Sequence, residues 1–265
     1  MMQPQWIEFN RDDDPIQPRW IIPGLRAGQV GLLTAPGGTG KSFLLLEIAM
    51  SVASGTPLIQ GLEPGAPGPV TVLNYEDDDL DIRERGNKIL RHWQDLDPAE
   101  NLYVASMSGK VLSLLDMQGQ VNDEHVEWLM DRCEGMRLVV LDPLSHLHGA
   151  DENSAPAMSR LVQVLKGIAL ETQCGILISH HTAKSATLNG MGDLQQSARG
   201  SSALVDASRL VMTLTRPKQS EDGSQDNRNL TLTWAKLNGI APIEPAKLLR
   251  TSHGVLISDP MRMYP

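Results

Sequence analysis

The chain has 265 residues, room for one large α/β domain or two small ones, and its 41% hydrophobic, 21% charged and 4% aromatic content excludes fibrous and mostly disordered classes. With 23 basic against 32 acidic residues the formal net charge is −9, which excludes a surface that coats nucleic acid by counterion release alone; any DNA contact has to be local. No run reaches the roughly 18 to 20 apolar residues of a spanning helix, and the first ten residues lack the layout of a signal peptide, so a cytoplasmic protein without a membrane partner is expected.

The first twenty residues carry Asp12-Asp13-Asp14 and prolines at 4, 15 and 18, and read as an arm laid over the body with Trp6 and Trp20 as anchors. Residues 1–24 are assigned to this arm and 25–265 to a single domain. From Gly28 a short apolar run bounded by glycine suits a strand buried on both faces of a parallel sheet, and similar runs recur at 69–75, 102–105, 138–141 and 175–179. Between them lie helical patterns at 42–54, closed by Gly55; at 80–96; at 122–134, with Asn122 as N-cap; and at 157–172. Such alternation predicts right-handed βαβ units and one parallel sheet. Cys133 and Cys174 sit far apart in apolar stretches, as core thiols in a reducing compartment do, rather than as a disulfide or zinc ligands. After Asp206 alternating segments at 209–214, 230–235, 246–249 and 255–257 predict a largely antiparallel extension, and the polar stretch 216–229 a mobile hairpin loop. The loop-like stretch 182–199 is long enough to be functional.

The strongest chemical signal is Ala35-Pro36-Gly37-Gly38-Thr39-Gly40-Lys41-Ser42, between a buried strand and an apolar helix, the context a phosphate loop requires. Glycines let successive N–H groups turn inward on phosphate oxygens, and the helix aims its positive end at the same place. Lys41 then reaches the β- and γ-phosphates of ATP, and Ser42 ligates Mg²⁺. Asp142, at the end of Leu138-Val139-Val140-Leu141, stands where the outer partner of that Mg²⁺ is needed. Glu76, in Asn74-Tyr75-Glu76-Asp77-Asp78-Asp79, is the candidate base for an attacking water; the competing reading, that these acids begin a helix, accounts for Asp77 to Asp79 better than for Glu76. His180 and His181 follow the strand at 175–179 and offer a γ-phosphate sensor, with His180 the catalytic candidate and the choice between the two left open; zinc with His146 and His148, and a purely structural pair, are the alternatives.

A phosphate loop with a glutamate base and without an Asn-Lys-x-Asp guanine-reading motif resembles the RecA-like ATPase class. Within it, residues 28–257 resemble the hexameric plasmid replicative helicases of the RepA type, on 35–42, Glu76-Asp77, Asp142, Asp151-Glu152-Asn153-Ser154-Ala155, His180-His181, Gly192-Asp193, and Gln195-Gln196-Ser197-Ala198-Arg199-Gly200-Ser201-Ser202-Ala203-Leu204-Val205-Asp206. The resemblance implies a RecA-like core, a mainly parallel sheet flanked by helices with a C-terminal antiparallel extension, six copies forming a ring with ATP between subunits. It places an arginine finger at Arg209, against the reading that Arg209 merely opens a strand and pairs with a carboxylate; Arg199 and Lys236 are competing trans-acting candidates. It makes 182–199 a channel-facing segment in which Lys184 and Arg199 contact single-stranded DNA phosphates. The implied activity is a replicative DNA helicase of plasmid or mobile-element replication, the alternative a RecA-like switch ATPase working through protein partners.

Overall fold

The computed structural model describes residues 19–98, 100–181, 202–217 and 228–259. Trp20–Ile22 (β1) and Leu25–Arg26 (β2) form a small antiparallel hairpin, so the end of the stretch read as an arm buries Ile21 and Ile22 in the core beside Leu25. Trp20 lies over the Arg26 guanidinium, its carbonyl accepting from Arg137, while Trp6 lies outside the described residues.

A nine-stranded sheet organises the rest. Its parallel part comprises Val30–Ala35 (β3), Val70–Asn74 (β4), Leu102–Ser106 (β5), Leu138–Asp142 (β6), Gly175–His181 (β7) and Leu210–Thr215 (β8), in the order β8-β3-β7-β6-β4-β5. Asn229–Leu237 (β9), Ala246–Arg250 (β10) and Leu256–Ser258 (β11) extend it beyond β8, each antiparallel to its neighbour. β3, β6 and β7 are buried along nearly their whole length because helices cover both faces, which is why the sequence shows apolar runs there rather than alternation.

One face is covered by Lys41–Ser54 (α1) and Asp79–His92 (α2). The other is covered by Asp123–Cys133 (α3), Ala155–Thr172 (α4) and the short Ser202–Ala207 (α5). α1 is buried on almost every side and ends at Gly55, whose φ of 79° is the left-handed stop expected there. α2 starts at the Asp78 cap, which accepts from the N–H groups of Leu80 and Asp81, and ends at His92 rather than at 96, the chain turning at Trp93 ahead of Pro98. α3 begins where Asn122 accepts from the His125 N–H, as its sequence predicts. α4 starts two residues before the expected 157, because Ser154 supplies the cap. β8 and β9 pair antiparallel on either side of the predicted hairpin loop, whose residues 218–227 lie outside the described ones.

Candidate active site

The six parallel strands end on one side of the sheet, the side on which open α/β sheets hold their ligands. β3 stops at Ala35 and the chain curls through Gly38 and Gly40, with φ of 71° and 107°, into α1. Thr39 holds the curl together, its amide and hydroxyl both donating to the Pro36 carbonyl at 3.3 and 2.6 Å. No side chain caps the N-terminus of α1, so the backbone donors and dipole of its first turn are left to an anion.

Lys41 is 4% exposed, and its Nζ stands 2.9 Å from Asp142 Oδ1, 3.0 Å from Ser179 Oγ and 3.2 Å from His181 Nε2. Asp142 ends β6 and is equally buried; it accepts from Ser42 Oγ at 3.2 Å and from the Ser179 hydroxyl. Ser42 and Asp142 are thus hard oxygen donors side by side at the foot of the loop. That fits Mg²⁺, which takes one or two protein oxygens together with phosphate and water.

Asn74, the last residue of β4, shapes the acidic turn: its Oδ1 accepts from the amides of Glu76 and Asp77 at 3.0 and 2.7 Å, and its Nδ2 donates to Asp77 Oδ2 at 3.0 Å and Asp142 Oδ2 at 3.4 Å. The turn presents Glu76 toward the loop, half-exposed, with Oε1 3.0 Å from His181 Nε2. Asp77 faces away, gripped by both terminal nitrogens of Arg85 at 2.7 and 3.2 Å. Burial pushes the Asp77 carboxyl up, but the hydrogen bonds and charge of Arg85, helped by Asn74, outweigh it and hold the group below its ordinary value. Asp77 and Asp78 therefore serve the helix start, and Glu76 is the carboxylate left facing the site.

The histidine pair requires a correction. Successive residues of a strand face opposite sides, so Ser179 and His181 share the Lys41 side and His180 turns away. His180 is buried, and that burial lowers its pKa against the opposing charge of Glu152. His180, the catalytic candidate of the pair, therefore does not face the loop, and His181 does. His146 instead stacks on Tyr75, and His148 lies 3.8 Å from Glu152. Among the described residues no group of three or more His, Cys, Asp or Glu side chains stands together to hold a metal.

Residues 2–187 match the family described as AAA domain. The chain belongs to that family. The fold of this AAA domain is also similar to the structure titled "ATPase Domain of G40P", with a TM-score of 0.62 at 15% identity over 88% of this chain and 85% of that one. Its architecture is that of a RecA-like P-loop ATPase, and no helix among its described residues is long and apolar enough to cross a membrane.

Beyond the residues matched to the AAA domain, Arg209 lies far from its own phosphate loop. Its amide donates to the Val30 carbonyl and Leu210 pairs with Gly31, so Arg209 stands at the start of β3, about 16 Å of strand below Ala35. The side chain is exposed and forms no ion pair with a described carboxylate. Lys236 is close by but engaged: its Nζ donates to the Val205 and Asp206 carbonyls at 3.0 and 2.7 Å, closing the end of α5. Lys184 and Arg199 lie outside the described residues. Sequence reading passed over Asn74, Arg85 and Ser179. Ser179 had a signal, lying two residues before His181 on the same face of a strand; Asn74 had one in its place before a run of acids.

Proposed function

We propose that this chain is a Mg²⁺-dependent ATPase that works as a ring of identical subunits on single-stranded DNA, in the manner of the RepA-type helicases its motifs resemble. The observation that carries the ATPase reading is the convergence of Lys41, Ser42, Asp142, Glu76 and His181 beside a helix N-terminus that no side chain caps. Bound Mg²⁺ supplies charge neutralisation on the β- and γ-phosphates. Ser42 and Asp142 would hold it, and the amides of 38–42 and Lys41 would hold the phosphates. Glu76 accepts the proton of the water that attacks the γ-phosphorus. His181, touching both Glu76 and Lys41, ties the base to the cradle and carries the difference between ATP and ADP into the segment that follows β7.

The ring reading is supported by Arg209, an exposed guanidinium too far from its own loop to serve it, which is what a residue acting on a neighbour's nucleotide requires. ATP turnover measured with and without single-stranded DNA, alongside the mass of the assembly by light scattering, tests this. Stimulation by DNA in a ring is expected; slow, DNA-indifferent turnover would favour a switch ATPase acting through protein partners.

A further inference from the structure

Two arginines of the antiparallel half reach the phosphate loop of their own subunit. β8 runs parallel to β3, and β10, two strands further on, points the same way. Arg216, just after β8, and Arg250, the last residue of β10, therefore arrive where β3 gives way to the loop. Both donate to the Gly38 carbonyl, Arg250 through Nη2 at 3.2 Å. Arg250 packs so closely on Gly40 that a Cβ there would lie 2.5 Å from Nη2. It borders the same cavity as Lys41, Ser42, Glu76 and His181.

The charges around this cavity are unevenly matched. Lys41 is balanced by Asp142 and Arg85 by Asp77. No described carboxylate forms an ion pair with Arg216 or Arg250, and the Nε of each is buried without a hydrogen-bond partner. Burial and the neighbouring Arg216 charge both disfavour the protonated form of Arg250. Two like charges sharing one carbonyl in a partly dry place repel, and an anion beside them relieves the repulsion. The cavity that Arg250 borders is the one lined by Lys41, Ser42 and the loop glycines, where polyphosphate would lie.

We propose that Arg250 is a phosphate-binding residue of its own subunit's nucleotide site, donating to the polyphosphate of ATP or ADP, with Arg216 positioning it across the Gly38 carbonyl. This rests on the nucleotide-site reading above. It gives the antiparallel extension a functional reason: the turn after Arg250 leads to Gly254, where a Cβ would lie 2.7 Å from the Phe43 ring on α1, so nucleotide and extension are mechanically joined.

Calorimetric titration of ADP and of a non-hydrolysable ATP analogue tests the proposal. Arg250→Gln should weaken both by about tenfold or more, the scale of a hydrogen bond to a charged group, and Arg250→Lys, which keeps the charge, should weaken them less. A merely structural tie to Gly38 predicts no such order, because the glutamine amide and the lysine ammonium both still donate to a carbonyl. Wild-type affinity in Arg250→Gln, or binding by Arg250→Lys as weak as or weaker than that by Arg250→Gln, overturns the proposal. Lys41→Ala separates the two readings: if it binds nucleotide like the wild type, the nucleotide site itself is misplaced, whereas loss there with no loss in Arg250→Gln sinks the Arg250 role alone. Should the Arg250 variants fold poorly, phenylglyoxal labelling of the unaltered protein, mapped by mass spectrometry, replaces them. Inorganic tripolyphosphate should protect Arg250, and undiminished labelling at saturation overturns the proposal.

Discussion

Glu76 and Asp77 are adjacent carboxylates with different work, and the difference is one of partners. Asp77 is neutralised by a two-pronged Arg85 contact, while the Glu76 carboxylate, among the described residues, pairs with the imidazole of His181 and remains open to solvent. Glu76→Gln should therefore keep nucleotide affinity and lose hydrolysis by a factor of about 10² to 10⁴, the range of general-base catalysis. Binding isotherms beside a phosphate-release assay check this, and normal turnover would transfer the role of base elsewhere. The histidines divide in the same way. His181→Ala should lower turnover, because it removes the contact with Glu76 and Lys41, whereas His180→Gln should leave turnover near wild type and alter stability instead. A histidine whose folded pKa is depressed adds stability above its unfolded pKa, about 6.5, that is lost as pH falls below it. His180→Gln should flatten the decline in urea-unfolding stability as pH falls below about 6.5.

At the scale of elements, α1 and α3 show opposite solutions to the same problem of unpaired N-terminal amides. α3 is closed by the Asn122 side chain, so Asn122→Ala should cost about 1 kcal/mol in chemical denaturation with turnover unchanged. α1 has only Gly40 at that position, and its amides are kept for a ligand. These local features were legible in the sequence because a cap or a left-handed glycine is a property of a few consecutive residues. The parallel strands were legible too, since their apolar runs report burial on both faces. Three things were not. Whether His180 or His181 faces the loop depends on the register of β7 against β3, where Ala35 pairs with His181. The entry of Ile21 and Ile22 into the core depends on a hairpin of only two short strands, too brief for a periodic signal. The meeting of Arg216 with Arg250 depends on β9 folding back between them, a contact between residues far apart in the chain that no local pattern announces.

At the scale of the whole molecule, a chain of net charge −9 gathers Lys41, Arg85 and Arg250 around one cavity, with Arg216 on the Gly38 carbonyl beside it, and leaves Arg209 exposed at the opposite end of the strands. Lys236, by closing the end of α5, fixes the backbone from which Arg209 departs. A rigidly based, outward arginine is suited to enter a second subunit's site, where it would meet charge developing on the transferred phosphoryl group. Arg209→Ala should then leave nucleotide affinity nearly intact while lowering turnover by about 10³-fold or more, as loss of an arginine finger does. Affinity alone cannot separate a finger in trans from a local defect, but mixing can. In rings assembled from Arg209→Ala and Glu76→Gln subunits, some interfaces join an intact base from one chain to an intact finger from the next. Turnover should partly return in the mixture, rising with the fraction of such interfaces as the ratio is varied. If mixed rings are shown to form by native mass spectrometry and remain as inactive as their parents, Arg209 does not act across the interface, and Lys236 or Arg199 takes its place as the candidate.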